Sequence, residues 1–456
     1  MSLIQNLSAG DRSTAGEKTF NTSRRLSRVR GRVARTAIAA LLGFAATMPL
    51  ALHGPAVLAE PPAVALATTS SPDVAQKTRT IINCVDSKDA ETIATCGKGW
   101  LEKINGYHVL HLKGTPYEMG YQHGVLLRDS ARKNFDTLLR VKGDQTLVEV
   151  AGFKLKPRDV LSQIIEVQKP FVAKKFLDEM DGLAAGAGLP SDDIRAANFI
   201  PELFHCSGFA IAGGATADGT LYHGRVLDYA TDWGLQEHAV VVVAEPDGGI
   251  PYVNISYAGF VGSVTGMNAK HISIGEMGGG GLGNWQGVPM AQLMREVIET
   301  SETLEDAIKV FQDNPRTCQY FYVIADGKTG ESVGMEATWE KVDVIRAGES
   351  HPLLPHAVKE CAVLSAGGRY QELVRRVKEG SGTFTAESAL TLMDRPVAMG
   401  SNLHNVLFEP ASTKFWVANA AADKSPAADQ PYYAFQLTEL LSRKPHGDAP
   451  ELAGAE

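Results

Sequence analysis

At residue 206 the hydrophobic period of this chain changes from about 3.6 to 2, and that switch constrains the fold more than any other feature. Ahead of it, "GYHVLHLKG" (106–114) reads as a strand. "TPYEMGYQHGVLLRDSARKNFDTLLRVKG" then reads as a helix with Thr115 as N-cap and Pro116 in its first position. Helical patterning returns over 157–188 and 191–203. Behind the switch, strands are predicted at 207–212, 220–227, 238–245 and 251–258, then near 261–266 and 271–276. Helices at 289–301 and 303–313 separate these from strands near 318–325, 331–337 and 340–346. Helices at 368–379 and 386–394 precede closing strands at 404–408, 414–419 and 432–438. Clusters of strands alternating with clusters of helices argue against a βαβ series. They predict an α+β fold, a four-layer αββα sandwich of two antiparallel sheets with helices outside.

The first 60 residues stand apart. They hold eight Lys/Arg against three acids, a balance of +5, so the remainder carries −13 of the net −8. A basic start, the short apolar run "TAIAALLGFAATMPLALHG" and the small residues "PAVLAE" read as a secretory signal over 1–59, cleaved near Ala59. The Arg24-Arg25 pair is compatible with twin-arginine export. The other reading is an uncleaved anchor, for which the run is short and broken by Pro49. A periplasmic or secreted protein with no membrane span in its mature form is expected. The Pro, Ala, Ser and Thr of "EPPAVALATTSSPDVAQKTRT" assign 60–100 to a linker, and 443–456 reads as a disordered tail.

An acidic mature chain lacks the basic surface that nucleic acid requires. Five cysteines (84, 96, 206, 318, 361) form no CxxC pair, and no HExxH or clustered His/Cys/carboxylate set is present, so no metal and no cofactor is expected. Cys84 and Cys96 could close a small loop in an oxidising compartment, and the odd count leaves at least one thiol free.

The chemistry concentrates in "HCSGFAIAGGATADGTLYHGRVLDY" (205–229). Two alternating arms joined at Asp218-Gly219 form a hairpin, which returns Arg225 and Asp228 to the end that carries Cys206. Residues three apart on a strand face opposite ways, so a bulge or a strand end must bring both to one site. An arginine near a thiol favours the thiolate, the attacking form. Taken alone, Arg225 and Asp228 would read as a local ion pair and Cys206 as a small core residue. No partner His or Asn stands at a recognisable spacing, and His205 would have to fold back on its neighbour. Cleavage between His205 and Cys206 supplies a base without a second side chain, because a free α-amine has a pKa of about 7.7–8.0. Asp228 could orient its ammonium form.

These residues resemble the start of the catalytic chain of N-terminal-nucleophile hydrolases. The nearest type is the autoproteolytic cysteine acyltransferase/hydrolase group that includes isopenicillin N acyltransferase; choloylglycine hydrolase, penicillin V acylase and acid-ceramidase-like amidases are more distant. "GTPYEMGYQHGVLL" (114–127), "GFVGSVTGMNAK" (259–270) and "SNLHNVLFEPASTKFWVAN" (401–419) extend the resemblance over roughly 106–420. It implies a propeptide (101–205) and a catalytic chain (206–442), self-cleavage, and attack by Cys206 on a linear, non-peptide amide of a small N-acyl substrate. Arg225 and Asp228 would position the cysteine and its amine, and Arg225→Ala should slow turnover more than it unfolds the protein. The sequence departs from the family pattern in having Arg-Val-Leu-Asp for Arg-Asn-x-Asp and no clear Thr-Asn oxyanion pair. Asn402 and His404 are the stand-ins.

Two rivals remain. One is an exported binding protein on the same fold that does not turn over. The other is a penicillin-binding or serine β-lactamase-type enzyme, drawn from Ser130-x-x-Lys133, Tyr252-x-Asn254 and Lys328-Thr329-Gly330, although Ser130 sits amid charges and "DGKTGE" reads as a turn. "GEMGGGGLGN" (275–284), with six glycines, reads as a flexible loop after a strand and lacks the Gly-Lys-Ser/Thr of a phosphate loop. Gly120 and Gly124, four apart, predict close helix packing, with His123 beside them in a structural role.

Overall fold

Among the described residues thirteen strands follow Cys206 and six precede it. The structure, a computed structural model, describes residues 79–144, 148–150, 153–199, 206–280 and 284–454. The signal segment 1–59 and His205 lie outside the described residues. The early strands are β1 (Ile81–Asn83), β2 (Ala90–Cys96), β3 (Gly99–Ile104), β4 (Tyr107–Gly114) and the short pair β5 (Val148–Val150) and β6 (Phe153–Leu155). Then come β7 (Ser207–Gly213), β8 (Gly219–Asp228), β9 (Ala239–Pro246), β10 (Tyr252–Tyr257), β11 (Thr265–Asn268) and β12 (Ile272–Gly280). The last are β13 (Gln319–Asp326), β14 (Glu331–Thr338), β15 (Val342–Arg346), β16 (Cys361–Leu364), β17 (Asn402–Glu409), β18 (Lys414–Asn419) and β19 (Tyr432–Gln436).

They assemble into a seven-stranded sheet, β1-β19-β18-β17-β8-β7-β16, and a ten-stranded sheet, β15-β14-β13-β12-β11-β10-β9-β4-β3-β2. The inner faces meet through residues such as Val109, Val241, Val253, Val406 and Phe415. On the outer face of the larger sheet lie α1 (Pro116–Leu126), α6 (Met290–Thr300) and α7 (Leu304–Asp313), packed through Met119, Leu293 and Phe311. These labels count α2 (Arg128–Phe135), α3 (Pro157–Gln168), α4 (Lys174–Ala187) and α5 (Ser191–Asn198) between them. The smaller sheet is covered by α8 (Gly367–Glu379) and α9 (Ala386–Leu390), and α10 (Leu437–Ser442) closes the series. This is the αββα sandwich expected, with one refinement. Both sheets are mixed, because β1 joins β19 and β4 joins β9 in parallel. Segments arriving from far along the chain are not tied by a hairpin to the antiparallel sense.

Four other expectations change. Residues 81–83, 90–96 and 99–104 are strands, so the linker reading of 60–100 fails over that part. The tail reading fails as well: Arg443 pairs with Glu102 at 3.0 Å, and Gly97 donates to Glu451 at 2.7 Å. The reason is β2, an edge strand whose open backbone groups need partners; Leu452 donates to Thr95 there. Most of the glycine run is the end of β12, with a bulge between Gly278 and Gly280 against Gln319, and not a loop. The helix expected to run on from Thr115 is divided at Leu127 and closes in a π-helical turn over Asp136–Lys142. All five cysteines are free thiols, so Cys84 and Cys96 are not bridged. Among the described residues no helix is long and apolar enough to cross a membrane.

Two helices ahead of Cys206 cross at backbone contact. A Cβ on Gly120 would lie 1.9 Å from the Glu179 carbonyl oxygen, and one on Gly182 would lie 2.1 Å from that of Tyr117. His123, between the glycines, accepts the Gly259 N–H at 2.8 Å through Nε2, and burial pushes its pKa down to about 4. It is a neutral structural acceptor that pins the start of the β10–β11 connection.

Candidate active site

Three neighbouring strands of the smaller sheet bring the site together. Ser207 pairs with Val226, which sets Cys206 level with Leu227, one residue short of Asp228 at the end of β8. On the other side of β8, Asn402 is the register partner of Asp228 and His404 that of Leu227, so Leu403 forms a bulge. The strand end is Asp228 itself, and the bulge lies in the neighbouring strand β17 rather than between Arg225 and Asp228. Cys206 is 2% exposed within the apolar cluster that includes Leu227 and Tyr257.

Arg225, two residues before Leu227 on β8, shares its face and extends into the space between the sheets. It is 0% exposed, and Nη2 reaches Glu276 Oε2 on β12 at 3.3 Å. Its route depends on Gly275, since a Cβ there would lie 2.5 Å from Arg225 Cγ. Around this cation the layer is polar but uncharged. His223 Nδ1 meets Ser273 Oγ at 2.8 Å, while His404 is held by Tyr257 Oη at Nδ1 and Thr265 Oγ1 at Nε2, both at 2.9 Å. Burial, aided by Arg225, pushes His223 down to about 3 and His404 well below its ordinary value. Neutral imidazoles let a buried guanidinium keep its charge for Glu276.

Asp228 is the group poised to titrate. Burial raises its carboxyl to about 6, against the pull of Arg369, the Met399 amide and Arg225. Oδ1 accepts the Met399 N–H at 2.9 Å and Oδ2 accepts Arg369 Nη1 at 2.5 Å. A thiol heading one strand and a carboxylate ending the next, with guanidinium groups on either side, is an arrangement for nucleophilic attack with proton transfer near neutral pH.

Residues 215–353 match the family of acyl-coenzyme A:6-aminopenicillanic acid acyl-transferase, a stretch containing Arg225, Asp228 and Glu276 but beginning after Cys206. That stretch is under a third of the chain, and over it the sequence is similar to this acyl-transferase family. The chain is 28% identical to protein dcd1A of Dictyostelium discoideum over 53% of this chain and 60% of that protein. It is 25% identical to acid ceramidase of Rattus norvegicus over 43% of this chain and 56% of the relative. The match thus spans less than two thirds of either relative. A structure of an N-acylethanolamine-hydrolyzing acid amidase ortholog from Caenorhabditis elegans aligns with 45% of this chain and 93% of its own, at 18% identity and a TM-score of 0.36.

The polar atoms of the remaining candidates are engaged elsewhere. The Asn402 amide donates to Leu227 O, His404 O and Asn405 Oδ1, and its Oδ1 accepts the Ala428 N–H at 2.8 Å. With every lobe engaged it holds the bulge, and it offers no donor to an oxyanion. His404 is likewise occupied at both nitrogens. The rival serine motif is dispersed. Ser130 bonds His238 at 2.8 Å, Lys133 pairs with Glu237, and Lys328–Gly330 forms the β13–β14 turn. Glu336, Asp343 and His351 gather within 4.8 Å of one another, but the Lys341 ammonium lies 2.5 Å from Asp343 and 3.6 Å from Glu336 and offsets one of the two negative charges.

Sequence reasoning passed over Arg369 and Glu276. Arg369 did leave a signal, because it stands in the first turn of α8, where the helix dipole disfavours a cation. Glu276 left none. Its role depends on a glycine gap and a strand pairing that exist only in the fold.

Proposed function

We propose that this chain is an exported N-acyl amidohydrolase that cleaves itself at His205–Cys206 and works through Cys206. The observation that carries the reading is the meeting of Cys206, at the head of β7, with Asp228, at the end of β8. Self-cleavage begins with Cys206 Sγ attacking the His205 carbonyl. The C–N bond breaks, the nitrogen takes up the Sγ proton to leave as the Cys206 amine, and water hydrolyses the resulting thioester to the His205 carboxylic acid and the free thiol. In turnover the α-amine accepts the Sγ proton and the sulfur attacks the substrate amide. The leaving amine takes that proton, and water releases the acid and restores the thiol. An amine acceptor in place of water gives acyl transfer at the same thioester. Acid ceramidase among the relatives favours linear N-acyl amides as the substrate class, and the basic, then apolar, first 59 residues favour export.

Intact-mass measurement of residues 61–456 should show a 251-residue fragment beginning at Cys206. A panel of N-lauroylethanolamine, a phenoxyacetyl amide and a glycine-conjugated bile acid should then yield free acid from at least one member. An uncut chain that releases no acid would sink the reading.

The two fragments should stay together after cleavage. β4 pairs with β9 over six residues, and Arg295 forms a two-pronged pair with Glu179 while also bonding Glu299, which Lys175 holds at 2.6 Å. Separation would open the middle of the larger sheet and strand a buried arginine. Size-exclusion chromatography in native buffer should give one peak, splitting into two only in denaturant.

A further inference from the structure

Arg369 occupies a place that its helix alone would disfavour. Its side chain is 16% exposed, in the first turn of α8, and its Nη1 touches three segments: Asp228 Oδ2 at 2.5 Å, Val397 O at 3.2 Å and Ser207 Oγ at 3.5 Å. Ser207 follows the nucleophile and is itself fixed by Ser365 Oγ at 2.7 Å. The guanidinium therefore links the end of β8, the start of β7 and the loop that carries Met399.

We propose that Arg369 is a positioning residue that keeps Asp228 ionised beside the nucleophile. Deep burial favours a neutral carboxyl group, and a neutral Asp228 would present a proton where an acceptor is needed. The groups facing Asp228 are Arg225 on its own strand, Arg369 from α8, the Met399 N–H from the loop before β17, Cys206 from β7 and Asn402 from β17. Of the two cations, Arg369 hydrogen-bonds the carboxylate directly, while Arg225 also forms the buried pair with Glu276. A carboxylate has about four lone-pair sites, so the two hydrogen bonds named leave room for the Cys206 amine. Here the inference rests on the function proposed above. A second cation so close also disfavours an ammonium at Cys206 and so favours the free base that takes the thiol proton.

The first measurement is the Asp228 carboxyl titration, followed by carbon NMR and identified with an Asp228→Asn control. It is made in uncut Cys206→Ala protein and so does not depend on cleavage. An opposite charge in contact moves a carboxylate by about 1–3 pH units, so Arg369→Met should raise the Asp228 midpoint by at least about one unit. Arg369→Lys should bring most of that back. Arg369→Gln serves in place of the methionine variant if the latter does not fold. A midpoint that stays put in the uncharged variant would overturn the proposal, even if thermal stability fell. The second measurement is the pH dependence of Cys206 alkylation by iodoacetamide in cut protein, read by peptide mass. Its midpoint should rise in Arg369→Met and recover in Arg369→Lys. An unmoved alkylation midpoint alongside a shifted carboxyl would overturn the part concerning the amine and leave Asp228 ionisation standing. A wild-type chain that never cuts would instead count against the proposed function, with the carboxyl titration still deciding for or against Arg369.

Discussion

Cys206→Ala is expected to give a single uncut chain with amide hydrolysis at the buffer background, while the fold survives. Both losses share one cause, because the same sulfur attacks the His205 carbonyl once and the substrate carbonyl at every turnover. Survival of the fold follows from what the side chain contributes. Cys206 is buried in an apolar cluster at the very start of β7, and replacing its sulfur with hydrogen removes one atom from a site whose backbone pairing begins at Ser207. The destabilisation should stay near the lower end of large-to-small core changes, about 1 kcal/mol. Circular dichroism and thermal unfolding of the variant should therefore match wild type closely, and intact mass should show no 251-residue fragment. Cys206→Ser keeps the shape but offers a weaker nucleophile, so slow, partial cutting over days is the expected pattern. Hydrolysis retained by the alanine variant would remove Cys206 from the mechanism.

The layers and all but one of the strands after residue 206 were legible because the apolar patterning there is regular: Val240–Ala244, Tyr252–Tyr257 and Val323–Ala325 declare themselves, and only the short β16 did not. The early strands were not. Ala90–Cys96 is a half-exposed edge whose composition resembles that of a linker, and only its pairing to Gly99–Ile104 makes it a strand. At the site the hairpin ends could be read, since turn position and register follow from local pattern. Side-chain partners could not. That Arg225 would pair with Glu276 across the two sheets depends on the absence of a side chain at Gly275, fifty residues away. Asn402 looked like an oxyanion donor because an asparagine at a strand start can be one; the bulge at Leu403 engages its amide instead.

The buried pairing with Glu276 also changes what a substitution at Arg225 should do. Its guanidinium and the Glu276 carboxylate are both fully buried and 3.3 Å apart. Removing one member of such a pair leaves the other charge in a medium of low polarity, a loss of about 3–5 kcal/mol. Arg225→Met should accordingly lower the unfolding temperature by roughly 10 °C, on a scale of about 2–4 °C per kcal/mol. The expectation that turnover would suffer more than stability gives way to a large loss of both. Turnover suffers because Arg225 is also one of the cations that oppose the rise of the Asp228 carboxyl. The double replacement Arg225→Met with Glu276→Met separates the two effects. With both charges gone the layer keeps the neutral His223 and His404, and apolar side chains of similar volume are tolerated in place of a buried pair. Most of the thermal loss should then be recovered while turnover stays low. Additive losses in the double variant would mean that the two residues act independently, and the ion pair would cease to explain why this arginine is buried.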